Sequence, residues 1–112
     1  MPHRDLVLLD AAKRAADQVI ALIDRSPRQG LLHVAQMRES VQSIAANIAE
    51  GMGRRSGRER ARSFEIARGE TEETIQHLGA NFRTDRITPK DYWPLHNLLV
   101  VIVKMVNSFL RQ

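Results

Sequence analysis

Met37-Arg38-Glu39-Ser40-Val41-Gln42-Ser43-Ile44-Ala45-Ala46-Asn47-Ile48-Ala49-Glu50-Gly51-Met52-Gly53-Arg54-Arg55-Ser56-Gly57-Arg58-Glu59 reads as a helix, a break and the start of a second helix. Met37, Val41, Ile44 and Ile48 recur at three- and four-residue steps, the spacing that lines one face of an α-helix, and the segment they mark runs from about Leu31 to Glu50. Its flank is small, with Ala35, Ser40, Ser43, Ala45, Ala46 and Ala49, so another helix can approach closely. Gly51-Met52-Gly53 is expected to end the helix in a left-handed C-terminal conformation, which glycine adopts without steric cost. Ser56-Gly57-Arg58-Glu59 has the spacing of a capping box, in which the serine oxygen and the glutamate carboxylate each satisfy an otherwise unpaired backbone N–H.

Helical periodicity extends outward in both directions. Between about Asp5 and Arg25, Leu6, Leu9, Ala16, Ile20 and Ile23 form one apolar line and Val7, Ala11, Ala15, Val19 and Leu22 a second beside it. Ser26-Pro27-Arg28-Gln29-Gly30 then supplies a stop, because proline disfavours helix in the residue before it. A third helix starts at the capping box, carries Phe64, Ala67, Thr71, Ile75, Leu78 and Phe82 inward, and ends between Arg83 and Arg86. Thr88-Pro89-Lys90-Asp91 marks a fourth start, with threonine as N-cap and proline in the first turn, where its missing donor costs nothing. Pro94 leaves two possibilities, a short turn before the main helix or a kink within it. Leu95, Leu98, Leu99, Ile102, Val103, Met105, Val106, Phe109 and Leu110 give this segment an apolar face wider than one bundle needs, and the surplus is expected to be an oligomer interface. Four amphipathic helices with short connections predict an all-α fold, an up-down-up-down antiparallel four-helix bundle formed as a single domain over residues 1–112.

Composition narrows the function. With 43% hydrophobic and 27% charged residues the chain is globular in type, and with only 4% aromatics its core must be aliphatic. The absence of cysteine removes disulfides, thiolate zinc sites and cysteine nucleophiles and is compatible with a reducing, cytoplasmic setting. The apolar run Leu98 to Val103 is far short of the roughly 20 residues a membrane span requires, so no membrane is expected. A formal net charge of +4 makes polyanions, whether nucleic acids or acidic proteins, candidate partners. No catalytic constellation stands out: there is no Gly-x-Ser-x-Gly elbow, and the glycines at 51, 53 and 57 lack the Lys-Ser/Thr ending of a phosphate loop. None of His3, His33, His77 and His96 follows a glutamate by three positions, and Glu73 with His77 on one helix face does not make a metal site. Neither cofactor nor metal is expected, and the chain reads as non-enzymatic.

The run from Gln36 to Arg38, then Ser43 to Gly51, Gly53 to Ser56 and Glu59, with Ser-Ile-Ala-Ala-Asn-Ile-Ala-Glu-Gly at its centre, resembles the hallmark of a bacterial family of four-helix bundle proteins. That family is known from open reading frames in intervening sequences of 23S ribosomal RNA genes, and it is similar to the accessory proteins of diversity-generating retroelements. Here Ala45 stands where the family usually has proline, Ala61 and Ser63 stand where bulkier residues are common, and Glu70-Thr71-Glu72-Glu73 replaces a more apolar stretch. The resemblance implies a homopentamer of bundles around a central channel and a non-enzymatic role. It also implies, for members beside a reverse transcriptase, a part as that enzyme's nucleic-acid-binding cofactor.

Two groups of residues are candidates for function. Arg54, Arg55, Arg58 and Arg62, with Arg60 and Arg68 close by and only Glu59 and Glu65 opposing, are the strongest positive concentration in the chain. They read either as phosphate contacts or as a solvated helix face. The polar motif residues Asn47 and Glu50, with Gly51 and Gly53, read either as a partner-binding surface or as architecture, with Asn47 bonding across helices, Glu50 pairing with an arginine and the glycines forming the turn. Tyr92 and Trp93 are expected to anchor the last helix, too far along the chain to interleave with the arginines. The leading expectation is an oligomeric module contacting nucleic acid or a nucleic-acid-associated protein; the alternative is an assembly protein with a protein partner and no direct nucleic-acid contact.

Overall fold

Two side-chain caps and one tight turn divide the chain into helices. In the computed structural model, which describes residues 2–28 and 30–111, Ser56 Oγ accepts from Glu59 N at 3.0 Å and Thr88 Oγ1 accepts from Asp91 N at 3.2 Å. The helices are α1 (His3–Arg25), α2 (Val34–Gly53), α3 (Gly57–Arg83) and α4 (Pro89–Leu110), with no strand among the described residues. Each helix packs on its two neighbours in the cycle α1–α2–α3–α4–α1 and the diagonal pairs do not approach, so the bundle is a simple up-down-up-down arrangement. Its long dimension of 44 Å is that of its longest helix, 27 residues at about 1.5 Å each with flanking turns.

The core is aliphatic along most of this length. Leu8, Val19, Met37, Val41, Ile44, Ile48, Leu78, Leu99, Ile102 and Val106 are wholly enclosed, and aromatic pairs close the two ends. Phe64 and Phe109 meet at 5.2 Å where α3 begins and α4 ends, while Phe82 and Tyr92 stack at 4.1 Å where α3 ends and α4 begins. Tyr92 thus anchors α4 as expected, whereas Trp93 lies edge-on to it and remains 48% exposed. Pro94 is accommodated within a continuous α4. α4 is long and apolar enough by length and composition to cross a membrane, but its Leu95, Leu99, Ile102 and Val106 line is buried against the rest of the bundle.

Three features differ from the sequence reading. In α1 the buried line passes through Leu8, Ala11, Ala12, Ala15, Val19 and Leu22, so Leu6 is 51% exposed and Val7 is also outside. The second apolar line, with its small alanines, faces the core, and Leu6, two residues or roughly 200° from Leu8, must then face away.

The start of α2 lies three residues beyond Leu31. Asn81, fully buried on α3, accepts from Leu32 N at 2.7 Å through Oδ1 and donates to Leu32 O at 3.1 Å and His77 O at 2.8 Å through Nδ2. Leu32 therefore spends both backbone groups on α3 and cannot enter a helix; His33 follows in the left-handed region at φ 58°, and α2 starts at Val34.

Gly51 and Gly53 do not form a left-handed turn. α2 continues through both, and no glycine among the described residues has positive φ. The left-handed C-terminal motif occurs instead at the end of α3, where Asp85 takes φ 58°, Arg86 N donates to Asn81 O at 2.8 Å and Asp85 N to Phe82 O at 3.1 Å. Gly51 has a packing role: a Cβ there would lie 3.2 Å from Ser63 Cβ and 3.3 Å from Phe64 Cζ, whereas one at Gly53 would meet nothing within 4 Å. The same α2–α3 seam carries the buried hydroxyl pair Ser40–Thr74 at 2.7 Å, and Thr74 also donates to Glu70 O at 2.9 Å. Small residues and internally bonded hydroxyls hold these two helices close.

Replacing Asn81 with alanine leaves both part-buried backbone groups of Leu32 without their partner, so thermal unfolding followed by circular dichroism will show a loss of about 1–3 kcal/mol. Gly51→Leu will lose about 1–3 kcal/mol through overpacking against Ser63 and Phe64, whereas Gly53→Ala will gain roughly 0.4–1 kcal/mol because its backbone is helical and its surroundings open.

Candidate nucleic-acid interface

The bundle topology gathers the start of α1, the end of α2, the start of α3 and the end of α4 at one end of the molecule. Gly57 and Arg60 of α3 share a small cavity with Phe109 and Leu110 of α4, and the Arg4 guanidinium of α1 lies 4.2 Å over the Phe109 ring. Arg4 and Arg111 are thereby added to Arg54, Arg55, Arg58, Arg60 and Arg62 on this end. Sequence separation hides this convergence; only the up-down-up-down path reveals it. Asp5, in the first turn of α1 where the helix N-terminus favours negative charge, is buried with one carboxylate oxygen 3.7 Å from Arg4 Nε.

The arginines here divide by what they touch. Arg54 donates to the Glu50 carboxylate one turn earlier, and this bond, together with the charge of Glu50, raises the Arg54 pKa; slight desolvation opposes it and Glu59 adds to it. Arg60 is half-buried and donates to the end of α2, reaching Met52 O at 3.2 Å and Gly51 O at 3.4 Å, with its guanidinium 5.6 Å from the Phe64 ring. It is a capping residue that satisfies carbonyls the helix end leaves open. Arg68 lies further along α3, donating to Asn107 Oδ1 at 2.8 Å across the α3–α4 contact. Arg55, Arg58 and Arg62 are exposed and make no ion pair or hydrogen bond among the described residues. With the exposed Arg111, they are the groups on this end placed to meet a phosphate.

The motif residues meet the arginines in one place. Asn47, Glu50, Arg54, Glu59, Arg62, Ser63 and Ile66 line a half-open cavity of about 200 Å³ between the end of α2 and the start of α3. Asn47 does not bond across helices: Nδ2 donates back along α2 to Ser43 O and Ser43 Oγ, both at 2.9 Å. The reason is local, since a side-chain amide on a helix reaches the preceding turn more readily than a neighbouring helix. Glu50 pairs with an arginine, as the architectural reading required. Gly51 permits the helix approach and Gly53 lies in the open last turn of α2. Glu59, Ser63 and Ile66 are added to the site by the structure; in the sequence Glu59 reads as part of the cap, and nothing marks Ser63 or Ile66 as site residues.

The histidines supply no comparable site. His77 Nε2 lies 3.4 Å from Glu73 Oε1 and its ring stacks on His33 at 5.0 Å, and no metal-holding group of three His, Cys, Asp or Glu occurs among the described residues.

Comparison with known proteins gives a family. A crystal structure of a Bacteroides thetaiotaomicron protein, described as of unknown function and from the S23 ribosomal protein family, is similar with a TM-score of 0.89 and 27% identity, covering 97% of this chain and 99% of that one. No curated protein sequence matches significantly. Residues 4–108 match the sequence family described as 23S rRNA-intervening sequence protein, which takes in all four helices and the cavity between α2 and α3, and the chain belongs to that family.

Proposed function

We propose that this chain is a non-enzymatic, self-assembling interaction module that contacts the phosphates of nucleic acid through the arginine-bearing end of its bundle. The observation that carries this reading is the exposure of Arg55, Arg58 and Arg62 without ion-pair partners, on an end that also receives Arg4 and Arg111. Guanidinium forks match phosphate oxygens in geometry, and an unpaired cation loses little by exchanging water and counterions for a phosphate. A cytoplasmic setting goes with this reading, as does the absence of cysteine.

Self-assembly rests on apolar surface left outside. Val101 of α4 is 46% exposed between the partly buried Leu98 and Met105, and Leu6 and Val7 of α1 are also exposed. Sheltering these residues against other copies would repeat the arginine cluster around an assembly, five-fold if the family resemblance extends to subunit number. A second reading, an assembly protein with a basic protein partner and no nucleic-acid contact, is favoured by one separate feature. Glu39, Glu70 and Glu73 line a groove between α2 and α3 with Gln36 and Ser40, and burial, then the charges of Glu73 and Glu39, raise the Glu70 pKa.

Charge reversal tests the first reading. In fluorescence anisotropy with a labelled oligonucleotide, Arg55→Glu with Arg58→Glu will weaken binding by at least about tenfold at low salt and flatten its salt dependence, while helicity by circular dichroism stays unchanged. Unaltered binding by the double variant would remove the assigned surface. For assembly, light scattering will give a mass several times the 12.7 kDa of one chain, and Val101→Asp will lower it.

A further inference from the structure

We propose that the cavity between the end of α2 and the start of α3 is a nucleobase pocket that accepts a guanine from a single-stranded nucleic acid. This deepens the nucleic-acid reading above and rests on it. The cavity lies beside the free arginines, yet its own lining does not suit a phosphate. Two carboxylates, Glu50 and Glu59, face it; Glu50 is ion-paired with Arg54, while Glu59 acts on Arg54 only through its charge and makes no ion pair of its own among the described residues. A bare anion there would meet two carboxylates as well as two guanidinium groups, and would gain less than at the outer arginines. A ligand with hydrogen-bond donors and acceptors side by side meets no such penalty.

Three polar groups in the lining are unused. The capping box at the start of α3 is only half made: Ser56 Oγ accepts from Glu59 N, but the Glu59 carboxylate makes no return bond to Ser56 N among the described residues. The carboxylate is thereby left to the cavity. Arg62, one turn further along α3, has no carboxylate partner, and the Ser63 hydroxyl has no hydrogen-bond partner among the described residues although the residue is buried. A hydroxyl on a residue only 6% exposed ordinarily finds a partner, so Ser63, with the exposed side chains of Glu59 and Arg62 opening on the same cavity, points to a ligand that completes it. Ile66, 41% exposed at the same cavity, supplies an apolar surface for the face of a planar ring. The volume of about 200 Å³ is smaller than the roughly 300–1,000 Å³ of drug-sized sites, and it suits one heterocycle and not a peptide segment.

Guanine is the base whose edge fits this set. Its N1–H and N2–H donors are adjacent and parallel, matching the two oxygens of one carboxylate, and its O6 lies next to them for a guanidinium. Adenine, cytosine and uracil do not present two adjacent donors. Base pairing would occupy that edge, so the strand must be unpaired where it enters. Arg55 and Arg58, just before and at the start of α3, are placed to hold the phosphates on either side, which separates the duties of the arginines: outer ones for the backbone, Arg62 for the base.

The test compares three labelled RNAs of equal length by fluorescence anisotropy: all-uridine, the same strand with one central guanosine, and the same strand with inosine there, which lacks the 2-amino group. The guanosine strand is expected to bind at least about fivefold tighter than all-uridine, and inosine to lose most of that gain. Glu59→Gln will abolish the preference without weakening the all-uridine strand, and Arg62→Ala will reduce it. The inosine strand probes the same contact with the protein unaltered, so a folding defect in a variant cannot hide the answer. Free GMP is expected to compete only at concentrations far above those of the strand; competition at equal concentration would overturn the assignment to a strand. Equal binding of all three strands would overturn the base pocket while leaving the phosphate surface standing, and no binding of any strand would overturn both.

Discussion

The approach of α2 to α3 sets the positions of almost everything else in this molecule. Along that seam the side chains are short: Ser40 bonds Thr74, and Gly51 allows Ser63 and Phe64 to come within contact of its backbone. Neither hydroxyl is lost to burial, because each is satisfied by the other or by a carbonyl of its own helix. With the helices held this near, the chain between them needs only Arg54, Arg55 and Ser56, and a connection so short leaves its arginines no room to fold back over the core. Their display to solvent is thus a result of helix packing. α4, through Leu95, Leu99, Ile102 and Val106, and α1, through alanines as well as Leu8, Val19 and Leu22, then close the bundle from the other side, and the start of α1 and the end of α4 arrive at the same end.

Much of the architecture was legible from residue types. Ser56 and Thr88 cap the helices they were expected to cap, because an N-cap depends on three or four consecutive residues and little else. The line Met37–Val41–Ile44–Ile48 is buried, and so is Phe64–Ala67–Thr71–Leu78, with Ile75 and Phe82 of the same expected line partly buried against the core, because period alone assigns them to one face. What could not be read depends on distant partners. Asn81 looks like any polar residue near a helix end until Leu32, 49 positions earlier, is placed against it. Asp85, not a glycine, takes the left-handed turn after α3, since its short polar side chain tolerates a conformation glycine merely prefers. The glycines of the motif were assigned to a turn because that is their commonest use, and only the coordinates of Ser63 and Phe64 show that Gly51 is selected for thinness.

The site was legible in outline and not in its division of labour. A count of arginines between Arg54 and Arg68 finds the basic end but treats its members alike, whereas contacts separate them into a helix cap, an α3–α4 tie, an intrahelical ion pair and three free cations. Charge density along a sequence is therefore a poor guide to available charge. Arg4 and Arg111, at opposite ends of the chain, join the cluster only because the chain passes up and down an even number of times. The glutamate of the capping box carries a similar lesson: its sequence position implies a local duty, and its structural position beside Arg62 and Ser63 leaves it available for another.

A bundle whose interior is smooth and aliphatic has a weakness in the axial direction. Leucine, isoleucine and valine pack nearly as well if one helix slips past its neighbour by a single turn, about 5.4 Å, so oily contacts alone leave the sliding coordinate soft. The double grip of Asn81 on Leu32 removes that freedom, because an amide that takes both the N–H and the C=O of one residue finds no equivalent pair a turn away. Asn81 thus acts as an index pin for the vertical alignment of α3 against the loop entering α2, and the Ser40–Thr74 bond is a second one along the same seam. The alignment at the far end, where two helices must bring their charged residues around a common hollow, inherits its accuracy from a bond made nearly the full length of the rod away.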